Sequence, residues 1–138
     1  LVVRTYTSTF LLMKKRVAFV KTASGNFALK ITLVVRAKKF VEKISVIDKI
    51  PGIVKLHEKF GAIAPDKFDE KTGRLKWSVD VLQPGEERIF SYIIYTKLAP
   101  VGKFELPTAT AVFEREGRIH ETESNKVFFL TEMRRNFM

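Results

Sequence analysis

The sequence predicts an all-β protein, an antiparallel β-sandwich of seven to nine strands. Several short segments alternate apolar and polar residues with a period of two, which puts one set of side chains on a buried face. Turn-forming residues separate these segments every roughly 10 to 15 residues. No segment carries the periodicity of a long amphipathic helix, so the crossovers that parallel strands need are missing. At 138 residues, 46% of them hydrophobic, the chain has material for one core, and we read 1–138 as a single domain.

The elements follow in order. Leu1 to Thr7 is an apolar opening segment, and 1–12 is a candidate extra or edge strand. Arg16 to Thr22 follows. Phe27, Leu29, Ile31, Leu33 and Val35 then alternate with Ala28, Lys30, Thr32, Val34 and Arg36, a core strand without a break. Lys43 to Ile47 is the next strand, and Leu75, Trp77, Val79 and Val81 alternate with Lys76, Ser78, Asp80 and Leu82. Arg88 to Thr96 is β-branched and aromatic, as a central strand requires. Ala109, Ala111 and Phe113 alternate, and Lys126 to Leu130 closes the series. Turns are expected at Ser24-Gly25-Asn26, Pro51-Gly52, Thr72-Gly73, Pro84-Gly85, Val101-Gly102 and Glu116-Gly117, with type II geometry at Pro84-Gly85. His57 to Lys71 is irregular and is expected as a long loop or a short edge segment. The predicted core is Phe27, Leu29, Ile31, Leu33, Ile44, Val46, Leu75, Trp77, Val79, Tyr92, Ile94, Phe113 and Val127, with Trp77 as its central ring.

Composition narrows the function classes. There is no cysteine, so disulfide staples and thiolate metal sites are excluded. No apolar run approaches the length of a membrane-spanning helix. The chain opens on Leu1, and we read it as a fragment of a larger protein. Abundant Lys, Arg and Glu suit a heat-adapted organism. The formal charge of +10 is lopsided: residues 1–60 hold 13 Lys/Arg against 3 Asp/Glu, and residues 61–138 hold 12 against 12. Such a half either meets an anionic partner or supplies solvated faces and edges that discourage strand pairing.

A resemblance emerges from the order of the motifs. Phe27 to Arg36 is followed by Asp48 ahead of Pro51-Gly52, then Gly73-Arg-Leu75-Lys-Trp77, Leu82-Gln-Pro84-Gly85-Glu86, Phe90-Ser-Tyr92, and finally Ser124-Asn125. Over about 17–130 this set resembles the conserved-repeat domains of unknown function found in archaeal and bacterial surface proteins. It departs from them after the first core strand, where Ala37-Lys38-Lys39-Phe40 stands in place of an Asn-Thr-Gly turn. The resemblance implies an immunoglobulin-like sandwich, a structural or adhesive role, a cell-envelope or extracellular location, and no catalytic residues. In local terms, Asp48 is expected to hydrogen-bond the backbone of the following turn, and Ser124 and Asn125 to open the last strand.

Catalytic and cofactor constellations do not assemble from the residues. The two histidines, His57 and His120, lie in different segments and are read as surface residues; no nucleophile elbow accompanies them. Neither begins a His-Glu-x-x-His pattern, and the acids Asp66, Asp69 and Glu70 are interleaved with Lys67 and Lys71 rather than set in a calcium loop. No phosphate-binding glycine loop is present. We therefore expect no catalytic residues, no cofactor, no metal and no small-molecule substrate. The expected function is a non-catalytic structural, adhesive or assembly module, contacting other protein domains or itself by edge-strand addition. The alternative is a binding module for an anionic polymer (nucleic acid, acidic glycan or membrane headgroups), with Lys14, Lys15, Arg16, Lys38 and Lys39 as its contacts.

Overall fold

The computed structural model describes residues 2–4, 9–20, 27–57, 61–96 and 102–131. Among them the chain forms twelve strands and no helix. They are β1 (Val2–Arg4), β2 (Leu11–Val20), β3 (Phe27–Ala37), β4 (Val41–Lys49), β5 (Lys55–Leu56), β6 (Lys67–Asp69), β7 (Arg74–Leu82), β8 (Glu87–Thr96), β9 (Gly102–Leu106), β10 (Thr110–Arg115), β11 (Arg118–Glu123) and β12 (Val127–Thr131).

Six strands make one sheet in the order β1-β11-β10-β4-β7-β6, four make a second in the order β2-β3-β8-β5, and β12 pairs with β9. All pairings are antiparallel except β1 on β11. The two larger sheets face each other across the core. Trp77 of β7 stacks on Phe90 of β8 with ring centroids 5.2 Å apart, and Tyr92 lies 6.0 Å from it on the other sheet. This is the antiparallel β-sandwich. Twelve strands replace the expected seven to nine because β5 and β6 are edge pieces of two and three residues, and because β9 and β11 were not legible. In β11 the run Arg118-Ile-His-Glu-Thr-Glu carries a single aliphatic residue, so alternation is hidden. β2 begins at Leu11, well before the expected Arg16. Of the expected turns, Ser24-Gly25-Asn26 and Val101 lie outside the described residues, as do Leu1 and 5–8 of the opening segment.

The predicted core residues are buried, except that Val79 is half-buried and packs against the cluster from its rim. Two turns take the geometry their residues dictate. The Glu86 N–H donates to the Gln83 carbonyl at 2.9 Å, with Gly85 at φ +88°, a type II turn with Pro84 leading. Glu116 and Gly117 both have positive φ between β10 and β11, the type I′ hairpin that suits the twist of paired strands. One irregularity re-aims a strand. The pairing of β10 with β4 slips between Val112 and Glu114, and opposite it Lys43 adopts φ +51°. The bulge shifts parity, so that Val41 is buried before it and Ile44, Val46 and Asp48 after it. An acidic side chain thereby enters the core.

Candidate functional site

The inward positions of β2 are Leu11, Met13 and Lys15, and those of β4 beyond the bulge are Ile44, Val46 and Asp48. Each strand thus delivers one charged residue where alternation calls for an apolar one. They meet between the sheets. Lys15 Nζ donates to Asp48 Oδ1 at 2.8 Å and to the Pro107 carbonyl at 2.7 Å, and both side chains have 0% exposure. Asp48 Oδ1 also accepts the Lys49 N–H at 2.9 Å, and Oδ2 accepts a short hydrogen bond from the Tyr92 hydroxyl. Burial, then the Asp48 charge and the hydrogen bond to it, hold the Tyr92 hydroxyl well above its ordinary value of 10.0, so it stays protonated. The cluster joins β2 and β8 of one sheet to β4 of the other and to the segment after β9. A carboxylate with three donors and an ammonium with two acceptors meet the terms on which buried charge is tolerated.

Asn125 completes this corner from outside. Its Oδ1 accepts the Lys15 N–H at 2.9 Å and its Nδ2 donates to the Lys15 carbonyl at 2.9 Å, as a neighbouring strand residue would. Ser124 donates to the Asn125 carbonyl, and its hydroxyl accepts the Ala109 N–H at 2.8 Å. The pair that opens β12 therefore bonds locally, as expected, and also reaches β2. Asp48 likewise makes the local backbone bond expected of it, to Lys49, while its larger commitments to Lys15 and Tyr92 were not foreseen.

The five basic residues separate. Lys15 is in the interior, because it has the same strand parity as Leu11 and Met13; it is not a surface contact. Lys14 and Arg16 are exposed on the outer face of β2, where they line a shallow depression with Arg36, Val34 and Ile89, and with Glu87. Arg36 belongs to this face and was not among the expected contacts. Lys38 and Lys39 sit in the bend after β3, where their backbone N–H groups bond the Phe10 carbonyl.

His57 is exposed, but His120 is not: at 9% exposure it stacks on Phe113 at 5.6 Å and meets the edge of Phe10 at 5.0 Å. The expectation of two surface histidines is corrected for His120, whose place on β11 faces the core. Of the loop acids, Asp69 caps its own turn through the Lys71 and Thr72 N–H groups, and Asp66 accepts the Ser78 N–H at 2.7 Å. No group of three or more metal-ligating residues occurs among the described residues.

Comparisons with known proteins give a fold and no family. No family model matches the chain, and no curated protein matches it in sequence. Among solved structures, the RrgA Jo.In complex is similar at a TM-score of 0.54 and 10% identity, covering 77% of this chain and 70% of that one. At that identity the likeness establishes the sandwich and nothing finer. A GH20 exo-β-N-acetylglucosaminidase from Vibrio harveyi matches at a TM-score of 0.47 and 10% identity over 82% of this chain, which is 17% of that enzyme, too weak to carry an argument.

Proposed function

We propose that the chain is a non-catalytic structural or assembly module of a cell-envelope-associated protein, acting through contacts with other protein domains. The observation that carries this reading is the placement of its polar chemistry. The one fully buried ion pair among the described residues is sealed at 0% exposure and ties the two sheets together, where no substrate reaches it. A catalytic acid or base must meet its substrate; this pair meets only the fold. The motif resemblance to prokaryotic surface domains supports the location, and the sandwich edges supply the route to partners. β1 and β6 bound one sheet, and β2 and β5 the other. Such edges carry backbone groups that a strand of a neighbouring domain can pair.

A second reading has its own observation. Lys14, Arg16 and Arg36 share one outer sheet face, a cationic surface for an acidic polymer. Light scattering after size exclusion, at low and high salt, with and without an acidic polysaccharide, separates the two. A mass that ignores polymer and salt supports the structural module. A rise in mass with polymer that salt reverses favours the polyanion reading and makes Lys14, Arg16 and Arg36 the residues to replace.

A further inference from the structure

We infer that Lys15 and Asp48 condense into an intramolecular amide that covalently joins the two sheets, a modification site built from the buried cluster. The reacting groups are already in contact at 2.8 Å, and neither side chain has any solvent exposure. The forms that react are the neutral amine and carboxylic acid, and one proton transfer along the 2.8 Å contact between Nζ and Oδ1 supplies both. Holding the partners at contact distance removes the entropic barrier of bringing them together.

The step balances without a co-reactant. The Lys15 ammonium passes one proton to Asp48 Oδ1, leaving an amine and a carboxylic acid. The Nζ lone pair attacks Asp48 Cγ, and negative charge develops on Oδ2, where the Tyr92 O–H already donates. A second proton moves from Nζ to Oδ1, the Cγ–Oδ1 bond breaks, and one water leaves. Neither oxidant nor reductant is required. Tyr92, held protonated by its burial and by Asp48, is the catalytic donor of this step.

The surroundings suit the product. An amide needs one acceptor for its N–H and one donor for its carbonyl. The Pro107 carbonyl, 2.7 Å from Nζ, is the first, and the Tyr92 hydroxyl on Oδ2 is the second. The Lys49 N–H bond to Oδ1 is the contact forgone. Asn125, the other acyl group near Lys15, is committed through Oδ1 and Nδ2 to the backbone of Lys15, which leaves Asp48 as the partner of Nζ.

The test is intact-mass spectrometry of the denatured full chain, followed by sequencing of its proteolytic peptides. The inference requires a loss of about 18 Da from the sequence mass, with peptides containing Lys15 and Asp48 joined. The full sequence mass overturns it. So does a loss of about 17 Da on a peptide joined through Asn125, or an 18 Da loss confined to one peptide, as ring closure at an aspartate gives. Two variants guard the assignment. Lys15→Arg keeps a cation beside Asp48 but offers a poor nucleophile, and is expected at its full mass; the same loss in that variant overturns the inference. Tyr92→Phe keeps the reacting pair and its packing, and freshly refolded protein is expected to lose water more slowly than the parent chain. None of these readouts depends on what the domain contacts, so the proposed function stands or falls separately.

Discussion

Asp48 and Lys15 each have all of their partners inside the protein, so removing either leaves a charge that water cannot reach. Lys15→Met strands the Asp48 carboxylate, and a loss of at least about 3 kcal/mol is expected, measured by urea unfolding. Lys14→Met, one residue away but exposed, is expected to change stability by no more than about 0.5 kcal/mol, because it sits on the opposite face. Tyr92 adds a pH dependence. Its folded-state pKa lies above the unfolded value of 10.0, so the folded state keeps the proton longer. That contribution is whole below the unfolded value and is lost as pH rises through the folded one. The stability difference between the parent chain and Tyr92→Phe is therefore expected to be constant from neutral pH to about pH 9 and to shrink above about pH 10. A difference that stays level to strong alkali would show that the hydroxyl is not held protonated. These residues were legible in part. Leu11, Met13 and Lys15 alternate, and so do Ile44, Val46 and Asp48, which puts one cation and one anion at inward positions of two strands. The run Lys14-Lys15-Arg16 obscured this, because three adjacent cations read as a patch until a strand sends the middle one the other way.

The strands were legible where burial acts on one face and illegible where it does not. Phe27 to Ala37 and Arg74 to Leu82 alternate in sequence, and burial follows that pattern except at Ala28, which is also buried, and at the end of β7, where Val81 is exposed and Leu82 is buried in its place. β5 and β6 contribute two and three residues at sheet edges, too few for alternation to register, and they exist through their backbone pairing to β8 and β7. The Lys43 bulge left no mark, since its positive φ falls on a lysine rather than a glycine. The turns make a prediction at this scale. Gly73 and Gly85 both have positive φ, so alanine at either strains the backbone by about 1–2 kcal/mol. They differ in space: a Cβ at Gly85 meets nothing within 4 Å, whereas at Gly73 it would stand 2.6 Å from the Ile50 carbonyl oxygen. That oxygen belongs to the residue whose N–H bonds the Gly73 carbonyl at 2.9 Å, so it cannot retreat without loosening the β4–β7 end. Gly73→Ala is expected to lower the urea midpoint clearly more than Gly85→Ala; equal losses would mean that strain alone decides both.

Trp77, the only tryptophan, reports on the whole sandwich, because its ring lies between the sheets against Phe90 and Tyr92. Its emission should be that of an apolar site in the folded chain and shift to the red in one transition with loss of the β signal in circular dichroism. That probe makes a test of assembly readable. The six-stranded sheet ends at β1, whose three residues pair in parallel with Ile119, His120 and Glu121 of β11. The strand β2 begins at Leu11 and places Leu11, Met13 and Lys15 in the core. A chain beginning at Thr9 therefore keeps the core and the Lys15–Asp48 pair but uncovers the backbone edge of β11. Ile119 of that strand is already exposed, so the freed edge offers a partner both hydrogen bonds and an apolar contact. Trp77 emission should be unchanged in the truncated chain, while its mass by light scattering rises with concentration. A synthetic peptide of residues 1–8 should reverse that rise by refilling the edge. If the truncated chain stays monomeric at every concentration, β1 is not the cover of an assembly edge, and domain contacts must be sought at β6 or on the other sheet. If the rise occurs and the peptide reverses it, the same pairing between successive domains becomes the physical means by which this module assembles.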